Sequence, residues 1–322
     1  MIPPLSLDKL TGLVNTGEID TVIMAQIDMQ GRLMGKRFHA RHFLEAGVEE
    51  THSCNYLLTV DQEMEPVPGY ASASWAQGYG DYMMKPDLST LRIVPWAPGS
   101  AMVICDIMDH HGHRDISQSP RAILKRQITR LADKGLSAKM ASELEFYIFR
   151  QSYEEALDRG YRDLEPSSPY NEDYHIFTTA REEAMLRDVR NALFAAGVPV
   201  ENTKGEAWAG QHEINVKYAD ALMAADIHVI TKQAVKEVAL AHGNAITFMA
   251  KYADAPAGSS CHIHQSLWEG DKPAFLDNEA PYGMSALMQS YIAGLLTYSD
   301  DVTYFLAPNI NSYKRFVAGT FA

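Results

Sequence analysis

Apolar runs of strand length alternate along the chain with longer segments whose apolar residues recur at helical spacing. The predicted strands are 22–29, 91–95, 101–107, 137–149, 211–218, 245–250 and 261–268. The predicted helices are 119–134, 179–196, 219–242 and 284–298, and a glycine follows each of the first three. Such alternation in the second part of the chain is typical of an α/β catalytic domain.

A polar stretch at 108–118 separates this alternating pattern from the preceding part of the chain. Before it, residues 61–80 are rich in glycine, proline, alanine and serine, which predicts a long ordered loop; such loops are often functional. A chain of 322 residues is long enough for about two domains. We therefore expect an N-terminal domain at 1–110 and a second domain at 111–322.

The composition restricts the class of protein. The formal net charge is −13, so the protein repels nucleic acid and anionic membranes, and we expect neither as a partner. The three cysteines are far apart and form no CxxC pair, which fits a reducing compartment. We find no basic and apolar leader and no apolar stretch of about 20 residues, so we expect a cytoplasmic protein. The surplus of carboxylates raises the question of whether some of them surround a cation.

Two glutamates lie two positions apart in the strand segment SELEFYIF. On a strand, Glu143 and Glu145 would share one face, while Leu144 and Phe146 face the core. Two carboxylates so close repel each other unless a cation or a proton lies between them. The alternative is a strand face exposed to solvent, which is the commoner origin of an isolated ExE pair.

A second pair of glutamates occurs in the segment KGEAWAGQHEINV. Glu206 and Glu213 are seven residues apart, and Gly210 between them would allow the backbone to bend. Only such a bend would bring the two carboxylates together. Without it, both are ordinary surface residues.

His262 and His264 follow a loop of small residues and would share one face of a strand. Two histidines alone suggest zinc, although a hydrogen-bonded pair without a metal is about as common. Nearby glutamates would change the expected ion, because carboxylate-rich sites suit Mg²⁺ or Mn²⁺. In the segment NSYKR, Arg315 is either solvated or binds a substrate carboxylate, which arginine does in bidentate fashion.

Taken together and in order, these motifs resemble glutamine synthetase. The matching segments are SELEF, KGEAWAGQHEINV, the K-x₅-A-G-S-S-C-H-x-H-x-S run from Lys251 to Ser266, NSYKRF, the D-x-x-G-R-x-x-G-K run from Asp28 to Lys36, and PDLSTLRIVPW. Each motif is weak alone. Their order and spacing over nearly the whole chain make the resemblance specific, and it is closest to the members that form γ-glutamyl amides.

The resemblance implies an α+β protein: an N-terminal β-grasp domain followed by a catalytic α/β domain. It implies an ATP-dependent, C–N bond-forming ligase that acts on glutamate and an amine, with Mg²⁺ or Mn²⁺ as cofactor. It also implies a homo-oligomer of stacked rings, a dodecamer of two hexamers at full length. Each active site would lie between one subunit's catalytic domain and a neighbour's N-terminal domain.

The resemblance also assigns roles to residues. Glu145, Glu206 and Glu213 would hold one metal ion, and Glu143 and His262 the other. Gly258 would lie in the glutamate-binding loop, and Arg315 would bind the glutamate carboxylate or the transferred phosphate. Arg315 and Glu213 are the expected catalytic residues. Three further residues would lie near ATP: Glu201, His264 and Ser266.

Three departures from the family pattern concern the acceptor or glutamate side. Members that use ammonia carry a glutamate where this chain has Phe321 and an asparagine where it has Ala257. They also carry an aspartate in a loop that here reads VPGYASASWAQG (67–78) and contains no acid. Phenylalanine cannot take part in acid–base chemistry. We therefore expect an organic amine as acceptor, such as a polyamine, ethanolamine or an alkylamine. A glutamine synthetase that uses ammonia and a non-catalytic relative are the alternatives.

The family sequence continues beyond the position where this sequence stops. The continuation holds an R-x-E-x-R segment with one more metal-binding glutamate and arginines that bind ATP. We expect this sequence to be a truncated form of an active enzyme, and a naturally short protein is the alternative.

Overall fold

The computed structural model describes residues 4–76 and 78–319. Within them the chain folds as two compact units. The first unit is formed by the chain up to Arg130 together with Asn191–Val198 and Ala225–Ala234. The second is formed by Leu131–Arg190, Pro199–Ala224 and the chain from Val235 onward.

The strands, in chain order, are β1 (Thr21–Ile27), β2 (Leu33–His39), β3 (Thr51–Cys54), β4 (Asp81–Pro86), β5 (Arg92–Ile93), β6 (Ser100–Asp109), β7 (Ser137–Phe149), β8 (Val200–Gly205), β9 (Gln211–Val216), β10 (Ala219–Asp220), β11 (Ala245–Thr247), β12 (Cys261–Glu269) and β13 (Lys272–Pro273). The helices are α1 (Leu7–Thr16), α2 (Ala40–His42), α3 (Pro120–Ala132), α4 (Tyr153–Asp158), α5 (Ile176–Thr179), α6 (Glu183–Ala195), α7 (Ala221–Ala241), α8 (Ala286–Thr297), α9 (Ser299–Leu306) and α10 (Ile310–Arg315). Single turns of other helix types lie at Phe43–Gly47, Asn55–Leu58, Leu88–Thr90 and Pro281–Gly283.

The sheet of the first unit has the strand order β2-β1-β6-β4-β3, with β5 on β6. Strands β1 and β6 run parallel and the other neighbours run antiparallel. Alternate residues of β1 and β6, such as Met24 and Val103, pack against Leu10 of α1 and against Phe43. This apolar layer is the core of the unit.

The sheet of the second unit has the order β13-β12-β7-β9-β8, with β10 and β11 also paired to β7. All these pairs are antiparallel. Strand β7 is the longest and pairs with four others, so it fixes the register of the whole sheet. Its C-terminal half is buried, and Tyr147 and Phe149 pack against Ala156 and Ala245.

The predicted strand at 137–149 has the observed bounds, and the predicted helices end within a few residues of the observed ones. The pattern did not predict the strands β2, β3, β4 and β8, the two-residue strands β10 and β13, or the helices α1, α2, α4, α5, α9 and α10. Strand β2 lies at a sheet edge and reads LMGKRFH, with most side chains exposed or half-buried, so it shows no apolar run. The predicted strand 245–250 stops at Thr247, where the chain enters the loop that leads to β12. The domain boundary near residue 110 stays a prediction.

We predict that Gly205→Ala destabilises the protein and displaces Glu206. Gly205 ends β8, and a Cβ there would overlap the main-chain carbonyl of Glu172, which cannot move like a side chain. Such overpacking costs about 1–3 kcal/mol, which thermal unfolding would detect.

Gly12→Ala is the matched control. A Cβ at Gly12 meets nothing within 4 Å, and the residue lies inside α1. Alanine there should stabilise the helix by up to about 1 kcal/mol. Equal stability of Gly205→Ala and the wild type would contradict the close approach of the two segments.

Candidate active site

Strand β7 presents two carboxylates on one face of the second sheet. Leu144 and Phe146 are buried on the other face, so Glu143 and Glu145 project together. The neighbouring strands supply the remaining charged groups: β9 pairs with β7 on one side and β12 on the other. The expected solvent-exposed alternative does not describe Glu145, whose side chain is buried.

The first carboxylate group spans β7, β9 and the turn before β9. Glu213 lies directly opposite Glu145 in the register of the two strands. Gly210, with φ of 72°, reverses the chain so that Glu206 returns to the same place. One carboxylate oxygen from each of Glu145, Glu206 and Glu213 lies within 4.8 Å of the other two. Three oxygen donors at this spacing fit a hard divalent cation such as Mg²⁺ or Mn²⁺.

The second group spans β7 and β12, where His262 lies opposite Glu143. The His262 Nδ1 atom is 3.0 Å from one Glu143 oxygen, and the His264 Nε2 atom is 3.0 Å from the other. Burial opposes the charged form of Glu143, but hydrogen bonds from the two histidines outweigh it and hold the pKa of Glu143 below its ordinary value. Ligand atoms of Glu143, Glu213 and His262 also lie within 4.8 Å of one another. Glu213 is thus shared by both groups.

Two residues that the sequence did not single out hold Glu145 in place. The Gln211 amide donates to Glu145 at 3.1 Å and to the Gly258 carbonyl at 3.0 Å. The Ser260 backbone N–H donates to Glu145 at 3.0 Å, and the Ser260 hydroxyl donates to its other oxygen. These bonds link the β7 carboxylate to β9 and to the loop before β12. Groups that orient a ligand in this way usually matter for metal affinity.

Lys204 is a third residue that sequence reasoning missed. Its ammonium group lies 2.5 Å from Glu206 and 4.2 Å from the centre of the Tyr174 ring. Burial lowers the pKa of Lys204, but the hydrogen bond and the charge of Glu206 outweigh it, so the pKa is raised. Lys204 lies opposite Glu213 in the β8–β9 register. The only signal in the sequence was its position two residues before Glu206.

Arg315 lies against the loop that contains Gly258. A Cβ at Gly258 would be 2.5 Å from the Cγ of Arg315, so glycine allows the arginine stem to approach the loop. Asn311 donates to the Lys251 carbonyl at 2.7 Å, which ties helix α10 to the start of the same loop. The Arg315 Nε is buried and has no hydrogen-bond partner among the described residues. Arg315 also lines the same cavity as the glutamates, so its positive charge acts on an anionic ligand bound there.

These side chains line one cavity of about 650 Å³ in the second unit. Its lining includes the predicted residues Glu143, Glu145, Glu206, Glu213, Gly258, His262 and Arg315. Ala257, one of the departures from the family pattern, also lines it. The Ala257 carbonyl accepts a 2.8 Å hydrogen bond from the Tyr147 hydroxyl group.

The three residues expected near ATP are not in this lining. His264 contacts Glu143 at the edge, whereas Ser266 lies further along β12 and accepts a bond from Trp268. Glu201 is exposed on β8 at an irregularity of the β8–β9 pairing. Phe321 lies outside the described residues.

Residues 117–322 match the family model for the catalytic domain of glutamine synthetase. The chain belongs to the glutamine synthetase family. The γ-glutamylethanolamide synthetase GlnA4 of Streptomyces coelicolor is 47% identical over 321 residues, which are 99% of this chain and 69% of that protein. A glutamate–isopropylamine ligase of a Pseudomonas species is 34% identical over 98% of this chain and 69% of its own length.

Among solved structures, the ADP complex of GmaS superimposes with a TM-score of 0.81 at 25% identity. The match covers 96% of this chain and 67% of that one. The predicted glutamine synthetase resemblance, the mixed α/β catalytic fold and the class of ATP-dependent C–N ligase are therefore confirmed. The N-terminal β-grasp domain stays a prediction. None of the helices within residues 4–76 and 78–319 has the length and apolar composition of a membrane span.

We predict that Gln211→Met weakens Mn²⁺ binding about 10- to 100-fold, the usual effect of removing a group that orients a metal ligand. Methionine fills the same space but cannot donate to Glu145 or to Gly258. Isothermal titration with Mn²⁺ would measure the change.

Gln289→Met serves as the control, because the Gln289 side chain is exposed on α8 and, among the described residues, hydrogen-bonds only the local Met284 carbonyl. Unchanged Mn²⁺ affinity in Gln211→Met would show that Glu145 needs no support from β9.

Proposed function

We propose that this protein joins an organic amine to the γ-carboxyl group of glutamate, using ATP and a divalent cation. The reaction passes through γ-glutamyl phosphate. The single observation that supports this proposal is the convergence of two carboxylate groups and Arg315 on one cavity. That set of charges suits a phosphoryl transfer to an anionic acceptor.

The chemistry requires two steps because a carboxylate is a poor electrophile. In the first, a γ-carboxylate oxygen of glutamate attacks the terminal phosphorus of ATP, and ADP leaves. In the second, the amine nitrogen attacks the activated carbonyl carbon, phosphate leaves, and the nitrogen loses a proton. The products are a γ-glutamyl amide, ADP and phosphate.

The acidic residues of the cavity would bind cations, and Arg315 would bind an anion. Glu145, Glu206 and Glu213 would hold one divalent cation, and Glu143, His262 and the shared Glu213 a second. Bound there, such cations neutralise phosphate oxygens and favour in-line displacement. Arg315, which lines the same cavity, stabilises negative charge on the transferred phosphoryl group or binds the glutamate carboxylate. Gly258 keeps the loop close to Arg315 and leaves room for glutamate.

The preference for an organic amine rests on the residues that would surround the incoming amine. Phe321 and Ala257 replace polar residues of ammonia-using members, and residues 67–78 contain no acid. An apolar acceptor site suits a carbon-bearing amine better than an ammonium ion, which needs carboxylate partners. The two relatives, an ethanolamide synthetase and an isopropylamine ligase, support this choice.

Further parts of the proposal rest on the family resemblance. His264, Ser266 and Glu201 lie near ATP, and the contact of His264 with Glu143 favours the first of them. Residues 1–110 form a β-grasp domain, residues 111–322 belong to the catalytic domain, and the protein is a cytoplasmic homo-oligomer of stacked rings.

We expect the protein that carries this chain to convert glutamate, ATP and one organic amine into a γ-glutamyl amide. The assay would offer ethanolamine, isopropylamine, putrescine, spermidine and ammonium in parallel and identify products by mass spectrometry. ADP should form in equal amount to the amide, and only with Mg²⁺ or Mn²⁺ present. Glutamine as the dominant product would contradict the organic acceptor and indicate a glutamine synthetase.

Phe321→Glu tests the acceptor side separately. A carboxylate there should shift the product ratio toward glutamine, by up to roughly 10²-fold, because a positioned acid–base group contributes about that much. Phe316→Glu is the control, since Phe316 is an exposed phenylalanine of the same segment. The same shift in both variants would mean that position 321 has no special role.

A further inference from the structure

A second group of titratable side chains is buried behind the candidate active site. Glu172, Glu182 and His212 are 0%, 6% and 0% exposed. His212 lies on β9 between Gln211 and Glu213, so its side chain projects from the opposite face of the sheet. One ligand atom from each of the three residues lies within 4.8 Å of the others. The proposed ligase reaction has no use for this group.

Few hydrogen bonds stabilise the group. The His212 Nε2 atom is 3.0 Å from a Glu172 oxygen and 3.9 Å from a Glu182 oxygen. Yet both Glu172 oxygens, both His212 nitrogens and one Glu182 oxygen have no hydrogen-bond partner of good geometry among the described residues. Burying carboxylates without hydrogen bonds is costly unless a positive charge or a proton compensates. One imidazolium balances only one of the two carboxylates.

The basic side chains that line the cavity beside Glu182 form no ion pair with it among the described residues. Glu182 lines a cavity of about 390 Å³ together with Arg150, Arg181 and His242. Neither arginine forms an ion pair with Glu182 within the described part of the chain, and His242 pairs with Asp188 at 2.9 Å. The exposed lining residues show that this cavity reaches the surface. It offers a route from solvent to the buried group, which a metal site needs.

Burial and the neighbouring charge of Glu172 raise the pKa of Glu182. Either a bound proton or a bound cation would therefore reduce the repulsion between the Glu172 and Glu182 carboxylates. The His212 imidazole, whose nitrogens have no well-aligned hydrogen bond among the described residues, favours the cation. A nitrogen lone pair next to two carboxylates completes a mixed donor set typical of a borderline metal such as Zn²⁺.

We propose that Glu172, Glu182 and His212 bind a structural divalent metal ion of the zinc class, separate from the ions of the active site. The ion neutralises the two buried carboxylates and cross-links three segments of the second unit. Its ligands come from the segment before α5, from the residue before α6 and from β9.

The position of this ion connects it to the active site. Glu172 packs directly on Gly205, and the backbone N–H of Tyr174 donates to the Gly205 carbonyl at 3.3 Å. Asn171 donates to the Ala207 carbonyl at 3.2 Å. The segment around Glu172 thus packs against the turn that carries Glu206 and hydrogen-bonds to it. A metal ion bound to Glu172 would stabilise the position of that turn from the side of the sheet opposite the candidate active site.

The experiment loads the full protein with Zn²⁺, dialyses it against a chelator and measures retained zinc by mass spectrometry. We expect one chelator-resistant equivalent per chain, because the group is buried whereas the active-site cavity is open. Anomalous diffraction at the zinc edge should place a peak between His212, Glu172 and Glu182. This readout needs no variant and does not depend on ligase activity.

Matched variants test the assignment. Glu182→Gln keeps the shape of the side chain and should lose the resistant equivalent. Glu183→Gln, at the neighbouring position where the side chain is exposed and pairs with Arg190, should retain it. A wild-type protein with no resistant zinc and no anomalous peak would overturn the proposal and leave protons as the compensating charge. Retention of the equivalent in Glu182→Gln would overturn the assignment of the ligand.

Discussion

Repulsion among four clustered carboxylates is the constraint on which the candidate active site depends. Glu143, Glu145, Glu206 and Glu213 line one cavity, and Glu145 and Glu213 are buried. In the structure, positive or hydrogen-bond-donating groups surround them: Lys204 contacts Glu206, the two histidines contact Glu143, and Ser260 and Gln211 donate to Glu145. Such a group is stable only with compensating charge, and it attracts divalent cations and the phosphates that accompany them.

The sheet register creates this cluster. Antiparallel pairing of β7 with β9 brings Glu145 opposite Glu213, 68 positions away, and pairing with β12 brings Glu143 opposite His262, 119 positions away. The close approach of Gly205 and Gly258 to their neighbours keeps the loops in place. The charged residues therefore act as one group. A shift of β9 or β12 by one position relative to β7 would turn the side chains of that strand to the opposite face of the sheet. The same alternation places His212 behind the sheet, where a second buried cluster adjoins the turn of Glu206.

Part of this was predictable from the sequence. Alternation in SELEFYIF predicted that Glu143 and Glu145 share a face, and Gly210 predicted the bend that returns Glu206 to Glu213. The roles of Lys204, Gln211 and Ser260 were not predictable, because they depend on which residues of neighbouring strands lie opposite each other. Edge strand β2 was missed because exposed strands lack an apolar run. The group of Glu172, Glu182 and His212 gave no local signal, since its members are separated along the chain and come together only in the folded protein.

In the proposed reaction, this charged site promotes the transfer of a phosphoryl group from ATP to the γ-carboxyl of glutamate before the amine reacts. Glutamate labelled with ¹⁸O in its γ-carboxyl group tests this most directly. We expect one labelled oxygen per turnover in the released phosphate, because the oxygen that attacks ATP leaves with the phosphoryl group. Phosphate free of label, with amide still formed, would exclude the acyl phosphate.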